Sequence, residues 1–394
     1  MQTTLINNKK RIESIDILRG IVMVIMALDH TRDYFHAPSF LYDPLDLQTT
    51  SAPIFLSRWI THYCAPIFML LTGTSAFLVG ERKGTKALSR FLFSRGLFLI
   101  FLELTVINFA WNFNIHFPEI DFLVLWSLGI SMVALSAIVY LPKKLILAIG
   151  IILVAGHNLL DNVHVAGKGL NAFLWSLLHE QGSFTYGGKV VLVLYPIIPW
   201  IGIIALGYSL GNLYSKNMDE QKRKQILLWL GAGAIFLFII IRFINVYGDT
   251  VPWSKQSSPA FTMLSFIKVN KYPPSLLYSL MTLGPGLIFL ALSETKTGRL
   301  GKIFSVYGRT AMFYYILHIF LIHLLATFAT SFCGHQWSDM IWPGFTNDKL
   351  LGYGFSLAIV YVVWIIVILL LYPLCNWYDK YKTNHKEKWW LSYL

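Results

Sequence analysis

The chain has 394 residues, of which 56% are hydrophobic and only 13% are charged. Soluble globular domains carry about 25% charged residues, so this composition excludes a soluble enzyme and a disordered chain. Its three cysteines are too few for a disulfide framework, which excludes a disulfide-stapled secreted domain. The formal net charge is +12, and its distribution along the chain decides whether it points to nucleic acid or to a membrane.

Ten apolar segments are each long enough to cross about 30 Å of hydrocarbon as a helix. They predict an all-α fold: a polytopic integral membrane helix bundle of about ten transmembrane helices, in a single domain over 1–394. The predicted spans are 16–35, 54–80, 91–112, 121–141, 144–161, 190–213, 226–246, 274–294, 306–330 and 352–377. Residues 170–180 are too short to span, and they predict an interfacial helix or a re-entrant piece.

Lys and Arg residues divide unevenly between the two sides of this arrangement. When alternate loops are assigned to alternate faces, 22 of the 32 lie on the face that holds both termini and eight lie on the other. By the positive-inside rule, segment 1–15 and the basic tail 378–394 are cytoplasmic, and the bundle occupies 16–377. The positive charge then predicts contact with membrane lipid, and no basic recognition motif indicates a nucleic-acid partner.

The first span carries ionisable residues, which are costly at membrane depth and are therefore functional candidates. One helical face, with steps of three and four residues, holds Asp16, Arg19, Met23, Met26, His30 and Asp33. Arg19 and His30 stand about 16 Å apart along this face. Asp29 lies about 100° around the helix from His30, so it reaches Arg32, Asp33 or a neighbouring helix instead. The alternative interpretation of this face is a polar seam that only sets helix packing.

Other polar residues in the spans are less decisive. Glu103 needs a partner at mid-span, and Arg19 or His30 is a candidate. His157 and Asp161 predict a hydrogen-bonded pair at a helix end rather than a metal site. His318 and His323 are five residues apart and do not share a helical face, so the sequence predicts no metal site there.

Three motifs carry a resemblance to a known family. Arg11 to Gly20 runs into Met26-Ala-Leu-Asp29-His30, and its Arg19-to-His30 spacing resembles the first-helix signature of the acyltransferase-3 family. Ala65 to Gly73 and Gly308 to His318 resemble further motifs of membrane acyltransferases. Together they resemble the bacterial relatives of heparan-α-glucosaminide N-acetyltransferase, most strongly over about 110 N-terminal residues.

The resemblance implies a membrane acyltransferase of the bacterial inner (cytoplasmic) membrane. It implies that acetyl-CoA, or another acyl-CoA, is the co-substrate, and that the acceptor is an extracytoplasmic sugar amine or hydroxyl of a glycan or glycolipid. Two histidines are candidates for the catalytic role. His30 fits the pattern of the acyltransferase-3 family without a gap, and His36 fits the pattern of heparan-α-glucosaminide N-acetyltransferase with one gap. We favour His30 as the general base, with Asp29 beside it.

The remaining candidate residues divide between donor and acceptor. For the anionic head of acyl-CoA the candidates are Arg19, Asp16, Arg82, Arg90 and Arg309, since guanidinium groups bind phosphates with directed hydrogen bonds. For the acceptor they are Asp33, Glu103, Trp111, Asn112 and His318. The competing hypotheses are a transporter or flippase without covalent chemistry, with the same first-helix charges lining its path, and a purely structural membrane protein. The oligomeric state is left open, a homo-oligomer included.

Overall fold

A computed structural model describes residues 12–294, 298–341 and 348–392. Most of the described chain is α-helical. In chain order the helices are α1 (Glu13–Phe35), α2 (Ala52–Thr61), α3 (Cys64–Lys83), α4 (Thr85–Leu102), α5 (Asn108–Asn112), α6 (Val124–Ile138), α7 (Lys143–Gly156), α8 (Leu170–Leu178), α9 (Ile198–Leu210), α10 (Glu220–Ile244), α11 (Pro259–Ile267), α12 (Leu276–Leu292), α13 (Arg299–Arg309), α14 (Ala311–Phe332) and α15 (Leu357–Asn384). This confirms the predicted all-α membrane bundle.

Each of the ten predicted spans contains a helix. Six helical stretches are long and apolar enough to cross a membrane: Ala52–Lys83, Thr85–Asn112, Lys143–Leu160, Glu220–Ile244, Ala311–Phe332 and Leu357–Asn384. Three more apolar helices are shorter: Val124–Ile138, Ile198–Tyr214 and Leu276–Leu292. The first span, α1, has 23 residues and carries the ionisable face. The number of crossings therefore stays a prediction, as does the side on which the termini lie.

The start of the predicted sixth span is a β-strand rather than a helix. Strand β3 (Lys189–Val193) pairs antiparallel with β2 (Gly182–Tyr186) and parallel with β1 (Glu119–Phe122), giving the order β1-β3-β2. A run rich in valine favours a strand, and two glycines with positive φ, Gly187 and Gly188, form the turn between β2 and β3. A short apolar run cannot be assigned to helix or strand by periodicity alone, which explains the difference.

Helix α1 lies at the centre of the bundle and contacts α2, α3, α12, α13, α14 and α15. Its crossing with α13 depends on glycine: a Cβ on Gly20 would stand 1.8 Å from the Phe304 carbonyl oxygen, and one on Gly308 would stand 1.9 Å from that of Asp16. Such close backbone contact is typical of helix pairs in membranes. The crossing lies in the N-terminal half of α1.

Some predictions lie outside the described residues. Segment 1–11 contains most of the predicted cytoplasmic N-terminus, and 342–347 contains the middle of the predicted outer loop 331–351. The predicted interfacial piece at 170–180 is a short helix, α8. It lies beside β2.

Candidate active site

A cavity of about 490 Å³ opens at the end of the bundle where α1 finishes. Its wall combines the C-terminal half of α1, α2, β1, the segment before α12 and one face of α14. The lining includes His30, Asp29 and Asp33, together with Met26 and Met312. This volume is in the range of small-molecule sites in proteins.

His30 is held by a histidine from α14. Its Nδ1 lies 2.8 Å from Nε2 of His318, and the two ring planes are nearly parallel, at 13°, with centroids 4.9 Å apart. Nδ1 of His318 lies 2.9 Å from the Tyr314 carbonyl oxygen, one helical turn earlier. The group in direct contact with Nδ1 of His30 is therefore an imidazole. The carboxylates of Asp29, Asp33 and Glu103 are paired with other groups.

Aromatic side chains complete the surroundings of His30. The Trp111 ring meets it edge-on with centroids 4.9 Å apart, and Tyr34 donates a hydrogen bond of 2.6 Å to the Trp111 carbonyl oxygen. Tyr315 packs against the ring from α14 with centroids 6.4 Å apart. These contacts leave His30 half-buried. Its Nε2 has no hydrogen bond to another described residue and is not sealed off from the cavity.

Asp29 joins two arginines in the cavity wall. It pairs with Arg58 of α2 and, at 2.9 Å, with Arg32 on its own helix. Arg32 also donates to Asp33 at 2.5 Å. Both carboxylates of this cluster are therefore paired with arginines. A buried charge without such a partner would be strongly destabilising. Sequence analysis placed Asp29 within reach of Arg32 or a neighbouring helix, and the structure shows both contacts.

A buried arginine at the end of α10 holds the loop that precedes another part of the cavity wall. Arg242 is 1% exposed and donates to the carbonyl oxygens of Phe266, Val251, Ser265 and Lys268 at 2.5–3.0 Å. The segment that follows this loop brings Lys271 and Tyr272 into the wall. Sequence reasoning did not identify Lys271 and Arg58 as site residues, because it counted both only among the Lys and Arg residues of the predicted outer face.

The opposite wall is acidic and comes from β1. Glu119 and Asp121 line the cavity, and Asn112 of α5 lies beside them. Asn108 fixes the strand by accepting from the Asp121 N–H at 2.6 Å and donating to the Asp121 carbonyl at 3.0 Å. Sequence reasoning named Asn112 and missed Glu119 and Asp121, because it placed Glu119 in the connection before a predicted span and Asp121 at the start of that span. The cavity wall thus contains both cationic and acidic side chains.

The two candidate bases occupy different environments. His36 is 3% exposed and does not line the cavity. It forms a backbone bridge with Phe355. His30 lines the cavity and offers a free nitrogen to it. The geometry therefore favours His30 over His36 as the base.

The donor candidates lie away from this cavity. Arg19 is 3.5 Å from Asp16 and donates to the Ser75 hydroxyl at 2.8 Å. Arg309 holds Asp379 of α15 through two nitrogens at 2.6–3.0 Å. The other two, Arg82 and Arg90, are exposed. Met23 is fully buried between Arg19 and His30, so the path between those two residues is closed in this conformation.

Two remaining acceptor candidates, and the predicted pair of His157 and Asp161, have other surroundings than the sequence indicated. Glu103 accepts from the backbone N–H groups of Leu125 at 2.7 Å and Trp126 at 3.1 Å, so its partner is the first turn of α6 rather than Arg19 or His30. A helix N-terminus offers unpaired N–H groups and favours a carboxylate. Asp161 contacts His179 at 3.2 Å instead of His157. His318 is fully buried behind His30 and does not line the cavity.

Comparison with known proteins identifies the family. The sequence profile described as heparan-alpha-glucosaminide N-acetyltransferase, catalytic, matches residues 11–243, more than half of the chain. The chain belongs to this family. No curated protein matches it. Membership in the heparan-alpha-glucosaminide N-acetyltransferase family implies acetyltransferase activity and favours it over transport without covalent chemistry.

The family match covers only part of the cavity wall. It includes all of α1, with both candidate histidines, and it ends just before the end of α10. Lys271, Tyr272 and the whole of α14 lie beyond it. Among the described residues, no three His, Cys, Asp or Glu side chains come close enough together to hold a metal ion.

Proposed function

We propose that this protein transfers an acetyl or other acyl group from cytoplasmic acyl-CoA to an amine or hydroxyl of an extracytoplasmic glycan or glycolipid. The observation that carries this proposal is the placement of His30 in the cavity wall with a free ring nitrogen. Family membership supports the reaction class. The Lys and Arg distribution supports the sidedness, because the cavity lies at the end away from the basic loops.

His30 acts as the general base in this proposal. Its Nε2 accepts the proton of the acceptor N–H or O–H as that atom attacks the thioester carbonyl carbon. The new C–N or C–O bond forms, the C–S bond breaks, and CoA leaves as a thiolate that takes the proton from His30. Arg58 and Lys271 supply positive charge in the same cavity, where it stabilises negative charge that develops on the carbonyl oxygen.

The donor reaches His30 from the opposite end of the bundle. The proposed contacts of its anionic head are Arg19, Arg82, Arg90 and Arg309, all near that end, and Asp16 is proposed to hold Arg19 in place. Because Met23 is fully buried between Arg19 and His30, the pantetheine arm arrives only after side chains or helices there move. Arrival at the cavity then brings the thioester to His30 from the cytoplasmic side.

Release of CoA tests the reaction. Inverted membrane vesicles, with the cytoplasmic face outward, receive acetyl-CoA outside and glucosamine or a simple sugar alcohol inside. We expect free CoA to appear outside in proportion to the acceptor trapped inside, as measured by chromatography. Vesicles from cells without the protein are the control. If no acceptor in the panel stimulates CoA release, the acyltransferase proposal fails and the transporter hypothesis replaces it.

Cysteine labelling tests the orientation. The chain offers a low background, because Cys64 and Cys375 are buried and Cys333 can be replaced by serine. In that variant, Lys255→Cys introduces an exposed thiol at the predicted outer face and Lys386→Cys introduces one at the predicted cytoplasmic face. We expect an impermeant maleimide to label intact cells only through position 255. Labelling through position 386 instead reverses the proposed topology.

A further inference from the structure

The hydrogen bonds behind His30 determine which of its nitrogens carries the proton. The chain of contacts starts at the Tyr314 carbonyl oxygen, which can only accept. Nδ1 of His318 therefore donates to it. His318 is fully buried and forms no ion pair with a carboxylate of the described residues, which favours the neutral ring. A neutral imidazole has one N–H, so Nε2 of His318 carries a lone pair and accepts.

The same reasoning extends one ring further. Nδ1 of His30 lies 2.8 Å from the accepting nitrogen of His318, so it carries the proton of the neutral His30 ring. Nε2 of His30 is then unprotonated, and this is the nitrogen that is not sealed off from the cavity. A general base requires this tautomer, in which the lone pair points at the substrate.

No carboxylate close to His30 is available for this task. Asp29 is shared by Arg58 and Arg32, and Asp33 is held by Arg32. In Ser-His-Asp enzymes a buried aspartate holds the imidazole in the required tautomer. Here a fully buried neutral histidine occupies the equivalent place.

We infer that His318 is the positioning residue for the base: its Nε2 fixes the tautomer and the ring orientation of His30. The inference rests on the proposed function of His30. It also assigns a role to α14, which lies beyond the part of the chain that matches the family profile. The site is therefore completed by a helix 288 residues further along the chain than His30.

Two isosteric substitutions separate positioning from simple packing. His318→Gln places an amide oxygen near the position of Nε2 and keeps an acceptor for His30. His318→Asn places its amide near Nδ1, keeps the bond to Tyr314 and leaves His30 without a partner. We expect the Asn variant to lose about 10–100-fold in kcat with little change in KM for either substrate, and the Gln variant to stay within about tenfold of the parent.

A matched control comes from the same helix. His323 is also fully buried, and its nitrogens contact the carbonyl oxygens of Ala110 and Met340 rather than His30. His323→Gln should therefore lower the stability of the protein and leave kcat per folded molecule within about twofold. Equal kcat losses in His318→Gln and His318→Asn, both matching this control, overturn the positioning role. Loss of CoA release in the parent protein instead overturns the proposed function.

A spectroscopic measurement tests the tautomer without any acceptor. Nitrogen-15 chemical shifts of labelled histidine separate protonated from unprotonated ring nitrogens, and the His30 signals are those missing from His30→Gln. We expect the parent protein to show His30 protonated at Nδ1, and His318→Asn to show a mixture of tautomers. A His30 ring protonated at Nε2 in the neutral parent contradicts the inference.

Discussion

We expect His30→Ala to lower the rate of acyl transfer by about 10²–10⁴-fold, the usual contribution of a general base. The physical reason is that its Nε2 is the nitrogen available in the cavity wall to take the acceptor proton. Donor affinity should be unchanged, because the site that we propose for the acyl-CoA head is near Arg19 at the other end of the bundle. The measurements are CoA release in vesicles and CoA binding to the purified variant.

The matched control is His36→Ala. His36 is buried next to Phe355 and outside the cavity, so we expect a loss of less than about tenfold. A dead His36 variant beside an active His30 variant would reverse the assignment of the base. Loss of CoA binding in His30→Ala would instead show that the histidine contacts the donor and contributes to its binding.

The second large effect concerns the stability of the bundle. Asp29→Leu strands Arg58 and removes one of the two partners of Arg32, both in the wall of the cavity. Breaking a buried ion pair by removing one partner costs about 3–5 kcal/mol, because a charge is left without compensation. We therefore expect a loss of this size in the free energy of unfolding, measured by titration with SDS in mixed micelles.

A double variant identifies the cause of that loss. Asp29→Leu combined with Arg58→Met removes the stranded cation and should recover about half of the stability or more. Asp379→Asn serves as the comparison, since its pair with Arg309 is more exposed and should contribute only about 1 kcal/mol. A double variant as unstable as Asp29→Leu alone would mean that packing around Asp29, and not the unpaired arginine, sets its effect.

Composition and apolar periodicity were sufficient for the class of the fold. Long apolar runs satisfy their backbone hydrogen bonds within helices, so a helix in each predicted segment follows from local sequence. The polar face of α1 was also readable, because residues three and four apart share a face whatever surrounds the helix. The ion pair between Asp16 and Arg19 follows from this local rule.

The local rule failed where a contact joins distant segments. Glu103 was expected to meet Arg19 or His30, yet it caps α6, and the run at 190–193 joined a sheet that β1 completes. Short apolar segments and buried carboxylates take whichever partner the packing brings to them.

The sequence by itself therefore determined that this protein is a membrane helix bundle with His30 on the polar face of its first helix. Only the tertiary structure decided what holds that histidine. Nothing in the spacing of α1 indicates His318, because α14 approaches α1 through helix packing, and a hydrogen bond between rings depends on the final positions of both helices. In the same packing Asp29 and Asp33 pair with arginines, so the group that orients the base is an imidazole.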